Sequence, residues 1–165
     1  MDLGRIFRHL LSTDLAVKRA FPASSLKAIE QTIRECEARH QGEIRFAVEA
    51  ALDIQPLLRG ESARERAIEV FSQLQVWDTE NNNGVLIYLL LADHDVEIIA
   101  DRGIHRYVGE QGWAAICHTM EQAFRQGRSE AGVVSGIRAI SALLEQHFPA
   151  QTRNPNELPD EPVLL

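Results

Sequence analysis

The period of the apolar positions changes several times along the chain, and each change marks an element. Leu3, Ile6, Phe7, Leu10 and Leu11 recur at helical spacing and predict a short amphipathic helix over 3–11. Thr13 or Asp14 caps a following turn that leads to Phe21-Pro22. Ser24 or Ser25 then N-caps a longer helix to about Arg39, with Leu26, Ile29, Ile33 and Cys36 inward and Gly42 as its stop. Over 43–50 the period becomes two. Ile44, Phe46 and Val48 point one way and Glu43, Arg45 and Glu49 the other, which predicts a strand with one polar face. Asp53, Pro56 and Gly60 mark a loop. A helix over 61–75 turns Ala63, Ala67, Val70, Phe71 and Leu74 inward.

The stretch 84–91 has no polar face at all. It reads as a central strand covered on both sides. The turn Ala92-Asp93-His94-Asp95 is too short for a crossover, so the strand over 96–100 must pair antiparallel with it. The first strand reaches the second through a helix, which predicts parallel pairing with a right-handed crossover. After Gly103 a loop is expected. A helix over 109–125 follows, burying Trp113, Ile116, Cys117, Met120 and Phe124, and Gly127 ends it. Ser129 N-caps a last helix that buries Val133, Ile137, Ile140, Leu144 and Phe148 before Pro149. The order predicts a three-layer α/β/α sandwich with a small mixed β-sheet. Residues 1–23 are a helical extension, 24–148 the domain, and 149–165 a flexible, Pro-rich acidic tail.

Composition adds boundaries to this picture. A chain of 165 residues with 45% hydrophobic positions is long enough to bury one substantial core. The formal charge of -7 disfavours a polyanionic partner, so nucleic acid is not expected. Arg5, Arg8, His9, Lys18 and Arg19 still cluster near the start. Charges interrupt the N-terminal stretch, and no apolar run reaches the length of a membrane span; the expected compartment is the cytoplasm. The stripe on the first helix is expected to pack on its own domain or a partner more often than on a membrane. Cys36 and Cys117 fall on apolar helix faces and read as buried free thiols.

The strand directions sort the polar residues into two ends. Asp53, Asp93, His94 and Asp95 share one. Asp78, Glu80, Asn81, Asn82 and Asn83 enter the second strand at the other, where Asp101, Arg102 and His105 leave the third. Asp78, Asn82, Asn83, Asp101 and Glu110 offer hard oxygen ligands there, suited to Ca2+ or Mg2+. The competing reading is that Asn and Asp gather in turns for backbone reasons, with Gly84 admitting the chain to the strand. An EF-hand is excluded, because Asn83 stands at its glycine position and Leu89 at its bidentate glutamate position. Arg102 could pair with Asp101 or hold an anion such as phosphate, and His105 is the nearest titratable group. There is no P-loop, GxGxxG, GxSxG or HExxH.

The run NNGVLIYLLLADHDVEIIADRGI, followed by Trp113, Ile116, Met120, Phe124-Arg125-Gln126-Gly127 and then Gly132 and Gly136-Ile137, resembles the TPM domain family, formerly a domain of unknown function. The resemblance covers about 24–148 and implies an α/β/α sandwich. It also implies three roles found among members: acid phosphatases of the thylakoid lumen, calcium binders, and accessory proteins of membrane complexes. It points to Asn82-Asn83-Gly84, where the family usually has Asp-Asn-Gly, and to the segment after Asp101. Asn82 in place of Asp removes one negative charge from a cation site. Typical members are exported or membrane-anchored; neither a leader nor a membrane-spanning tail is expected in this sequence. The expectation is therefore a binding or accessory module for an unidentified protein partner, such as a membrane-complex component, able to hold a divalent cation. The alternative is a weak metal-assisted acid phosphatase using Asp101, Arg102 and His105.

Overall fold

The structure is a computed structural model and describes residues 3–165. Three helices open the chain: α1 (Leu3–Leu11), α2 (Asp14–Ala20) and α3 (Ala23–Glu37). Strand β1 (Glu43–Glu49) follows, then α4 (Ile54–Leu58) and α5 (Ala63–Gln73). Strands β2 (Gly84–Leu90) and β3 (Asp95–Ala100) are joined by one 3-10 turn, Leu91–Asp93. Helices α6 (Arg102–Arg125) and α7 (Ser129–His147) precede a two-residue strand β4 (Val163–Leu164).

The sheet has four strands in the order β3-β2-β1-β4. β1 and β2 are parallel and β2 and β3 antiparallel, as the connection lengths require. Every residue of β2 is buried. Val85, Ile87 and Leu89 face α3, α6 and α7 in one core with Ile33, Met120, Ile137 and Leu144. Leu86, Tyr88 and Leu90 face the opposite layer, where α5 contributes Ala63, Ala67 and Val70. The sheet with helices on both faces is the sandwich expected from the sequence. Glu65 closes a capping box with Ser62 at the start of α5, which fixes where that covering helix begins.

The structure departs from the pattern in several places. Residues 14–20 form a helical turn and more, not a simple turn; Leu15, Ala16, Val17 and Ala20 favour helix until Phe21-Pro22 stops it. α3 starts at Ala23 directly after Pro22, so Ser25 lies inside it, buried, with its hydroxyl donating to Glu130 at 2.6 Å. The 53–60 loop contains α4. The expected loop after Gly103 is helical from Arg102 onward, because Asp101 caps it. Its break falls at Gly109, whose φ of 69° lies in the left-handed region that a glycine enters without strain.

β1 has no solvated face. Glu43, Arg45 and Glu49 are all buried. Glu49 receives two bonds from the Arg66 guanidinium, at 2.9 and 3.1 Å, and a third from the Tyr88 hydroxyl at 2.6 Å. The Arg45 guanidinium donates to the Pro159 carbonyl. Glu43 accepts the N–H groups of Glu157 and Leu158, both at 3.1 Å. The terminal segment expected to be flexible therefore docks. Leu158 is buried, Val163 and Leu164 pair with Ala47 and Val48, and Asn154 donates to the Glu37 and His40 carbonyls. Its prolines prevent a periodic face, so its anchoring comes from single side chains and backbone bonds that a periodicity search does not detect.

Docking the tail buries a carboxyl pair. Burial, helped by Glu43, pushes the Glu37 carboxyl up to about 10, and burial pushes Glu43 up to about 7. Both are more protonated in the folded chain than in the unfolded one. Their contribution is therefore complete below the ordinary value of 4.5 and is lost as pH rises through the folded values. Other buried groups leave a clear window. His40, lowered from 6.5, acts below pH 6.5, and Cys117, raised from 9.0, acts above pH 9. Thermal melts between these limits should show Tm falling as pH rises. Glu37→Gln, which keeps an acceptor for the Ile44 N–H, should flatten that slope; an unchanged slope would remove Glu37 as its source.

Candidate functional site

The two loops singled out in the sequence meet at one end of the sheet. The Asp101 N–H donates to the Gly84 carbonyl at 2.9 Å, where β3 ends beside the start of β2. The contact continues at Gly103. A methyl group built there would stand 2.4 Å from the Asn81 carbonyl oxygen and 2.3 Å from that of Asn82. Only a residue without a side chain permits this approach. The turn itself is held by Thr79, whose hydroxyl accepts the Asn83 N–H at 3.1 Å, and Asn82 sits at a φ of 50°, a conformation Asn tolerates. Glu80 donates its N–H to Glu157 of the tail at 2.8 Å, and Asn81 bonds Gln41.

Two side chains here carry buried polar atoms without protein partners. Asn83 is fully buried, and neither its Oδ1 nor its Nδ2 has a hydrogen bond. Asp101 accepts the Arg102 N–H at Oδ1, 2.7 Å, as the cap of α6, while its Oδ2 is buried and unpartnered. Such atoms cost on the order of 1–3 kcal/mol each when left unmatched; Glu37, His40, Arg45 and Glu61 each carry one as well, but among the described residues only Asn83 has both of its polar atoms unmatched. The end of the sheet thus carries an amide oxygen, a carboxylate oxygen and, at Gly103, two backbone carbonyls. Those donors fit a hard cation such as Ca2+ in type.

The remaining expected ligands stand apart from this set. Asp78 is exposed on the preceding turn, and Glu110 is exposed on α6. Among the described residues, no group of three or more His, Cys, Asp or Glu is placed to hold a metal ion, so Asp78, Asp101 and Glu110 do not form a three-carboxylate cluster. Thr79 escaped the sequence reading. Its signal was the hydroxyl four residues before Asn83, a spacing that ties a turn back on itself.

Arg102 and His105 face a second feature, a groove of about 730 Å3 between β3, α6 and α5. His105 accepts the Trp113 indole N–H at Nδ1, 3.2 Å, which places any neutral-ring proton on Nε2. Glu110, Cys117 and His118 line the same groove, but Asp101 does not. The three residues expected to act together in phosphate chemistry are therefore split, with Asp101 committed to the helix cap. Burial pushes the Cys117 thiol up to about 12, so it is not a thiolate nucleophile. Burial, reinforced by Glu97 and Glu121, raises Asp95 to about 6 at the far end of the groove.

The model of the TPM domain matches residues 17–143. The chain belongs to the TPM domain family. Its fold matches the NMR structure of BA42 protein from the psychrophilic bacterium Bizionia argentinensis with a TM-score of 0.77, at 31% identity over 88% of this chain and 95% of that one. The solution NMR structure of an N-terminal domain of a protein from P. gingivalis matches with a TM-score of 0.62 at 18% identity, covering 79% of this chain and 82% of that one, and shows the shared fold. No curated protein matches. In this TPM domain the Gly84 and Gly103 contacts build the end of the sheet where the two loops join. Gly103→Ala should therefore destabilise the domain by about 1–3 kcal/mol, since the obstructing atoms are backbone oxygens that cannot rotate away. Urea unfolding measures this, and an unchanged midpoint would mean the loops separate freely.

Proposed function

We propose that this TPM domain is a binding module that holds a divalent cation between the 79–84 turn and the start of α6, and presents that end of the sheet to a protein partner. The observation that supports this most is the pair of buried, unpartnered oxygens, Asn83 Oδ1 and Asp101 Oδ2, on two segments joined backbone to backbone. The Asn81 and Asn82 carbonyls beside Gly103 extend the oxygen set. One carboxylate with several neutral oxygens favours Ca2+, which accepts carbonyl and carboxamide ligands in flexible geometry, over Mg2+, which demands tight octahedral order. With Asn82 where the family commonly has Asp, affinity rests on Asp101.

Titration of the full chain with Ca2+ and with Mg2+, followed by amide shifts, tests the reading. Shifts should concentrate at 79–84 and 101–103. Asp101→Asn, which retains an oxygen to cap α6, should weaken binding about tenfold or more as the single charge is lost. Shifts spread evenly over the surface, or none, would remove the cation.

A second reading rests on Arg102, His105 and Glu110 lining one groove. In it Arg102 holds a phosphomonoester and His105 Nε2 supplies a proton. The split from Asp101 and the absence of an activated nucleophile among the groove residues weigh against it. Arg102→Ala, at an exposed position, should abolish phosphatase turnover if the activity is intrinsic; retained turnover would assign it to a contaminant.

A further inference from the structure

The N-terminal helix is docked the wrong way round for a globular chain. Its polar side holds it to the domain. Arg5 Nε lies 2.9 Å from Asp93 Oδ2, and His9 Nε2 lies 3.1 Å from Asp93 Oδ1. The Leu52 N–H donates to His9 Nδ1 at 3.0 Å, which leaves the proton on Nε2 to face Asp93. His9 is buried by these contacts, and Ile6 packs on the core beneath α5. The apolar stripe points away. Leu3, Phe7, Leu10 and Leu11 are 74%, 63%, 59% and 65% exposed, and Leu15 at the start of α2 is 64% exposed. Their spacing puts the four α1 residues on a single face, opposite Arg5 and His9.

Five large apolar side chains held in water within thirteen residues mark an interaction surface. Its charge identifies the partner. The chain as a whole carries -7, yet Arg8, Lys18 and Arg19 are exposed on α1 and α2, Arg8 with its guanidinium also 3.7 Å from Asp93, and Asp14 is the acidic residue of these two helices. A second copy apposed through the same face would bring these cations together. An anionic surface with an apolar interior complements both features at once. We propose that α1 and the start of α2 lie in the plane of an anionic lipid bilayer, with Leu3, Phe7, Leu10, Leu11 and Leu15 entering the headgroup–acyl boundary and Arg8, Lys18 and Arg19 meeting the headgroups. No helix among the described residues is long and apolar enough to cross a membrane, so this contact is interfacial. The Asp93 pairing makes it a rigid attachment rather than a loose tether. It stands independently of the cation site.

Cosedimentation of the full chain with vesicles tests it. The chain should bind vesicles containing phosphatidylglycerol and not those of phosphatidylcholine alone. Phe7→Glu with Leu11→Glu should reduce binding about tenfold or more, and so should Lys18→Glu with Arg19→Glu. All four positions are exposed, so melting curves of the variants should match the parent and exclude misfolding. Equal binding to both vesicle types, no binding, or binding that survives the glutamates would overturn the proposal. A dimer in light scattering that Phe7→Glu dissolves, without lipid binding, would assign the face to self-association instead.

Discussion

A strand with no polar face constrains everything around it. From Gly84 to Leu90 each residue of β2 is buried, so neither side of the sheet can face water. One side takes α3, α6 and α7; the other takes α5. Parallel pairing with β1 then sends the chain over a helix, and antiparallel pairing with β3 brings it straight back. That return sets the position of the candidate site. Because β3 runs against β2, the residue that leaves it, Asp101, must arrive beside Gly84, which begins β2. The loop junction is a consequence of strand direction before it is a matter of side chains.

The second layer of constraint is ionic. β1 carries Glu43, Arg45 and Glu49 into a position that burial would forbid to isolated charges. Each finds a different remedy. Glu49 is clamped by Arg66 and Tyr88, Arg45 by a backbone carbonyl, and Glu43 by two backbone N–H groups of the tail. Glu37 beside them is relieved by remaining protonated. The C-terminal segment is therefore structural: it supplies partners to groups the sheet cannot satisfy. It also reaches the candidate site, since Glu157 accepts the Glu80 N–H.

The two ends of the sheet differ in kind. At the 79–84 end, Asn83 Oδ1 and Asp101 Oδ2 are buried without hydrogen-bond partners, the feature on which the proposed cation site rests. At the end carrying Asp93, the polar groups are matched with those of α1, and what remains unpartnered is apolar and faces outward.

Much of the fold was legible in the chain because it depends on local periodicity. The unbroken apolar run over 84–91 fixed the central strand, the Ala92–Asp95 spacing forced the hairpin, and helical stripes located α5 and α7. The convergence of Asn82-Asn83 with Asp101 followed from strand direction alone. What periodicity could not reveal was how polar residues are satisfied, since that depends on partners distant in sequence. Glu43 alternates like a solvated residue, yet it is buried by a tail 114 residues away. Asp101 reads equally as ligand or cap, and the backbone of Arg102 makes it a cap with one oxygen to spare. The stripe of α1 looks inward-facing by its pattern, but Asp93 claims the opposite side of the helix. The sequence by itself determined which faces are apolar; only the tertiary structure decided which of them are covered, because covering depends on where the complementary charges fall in space.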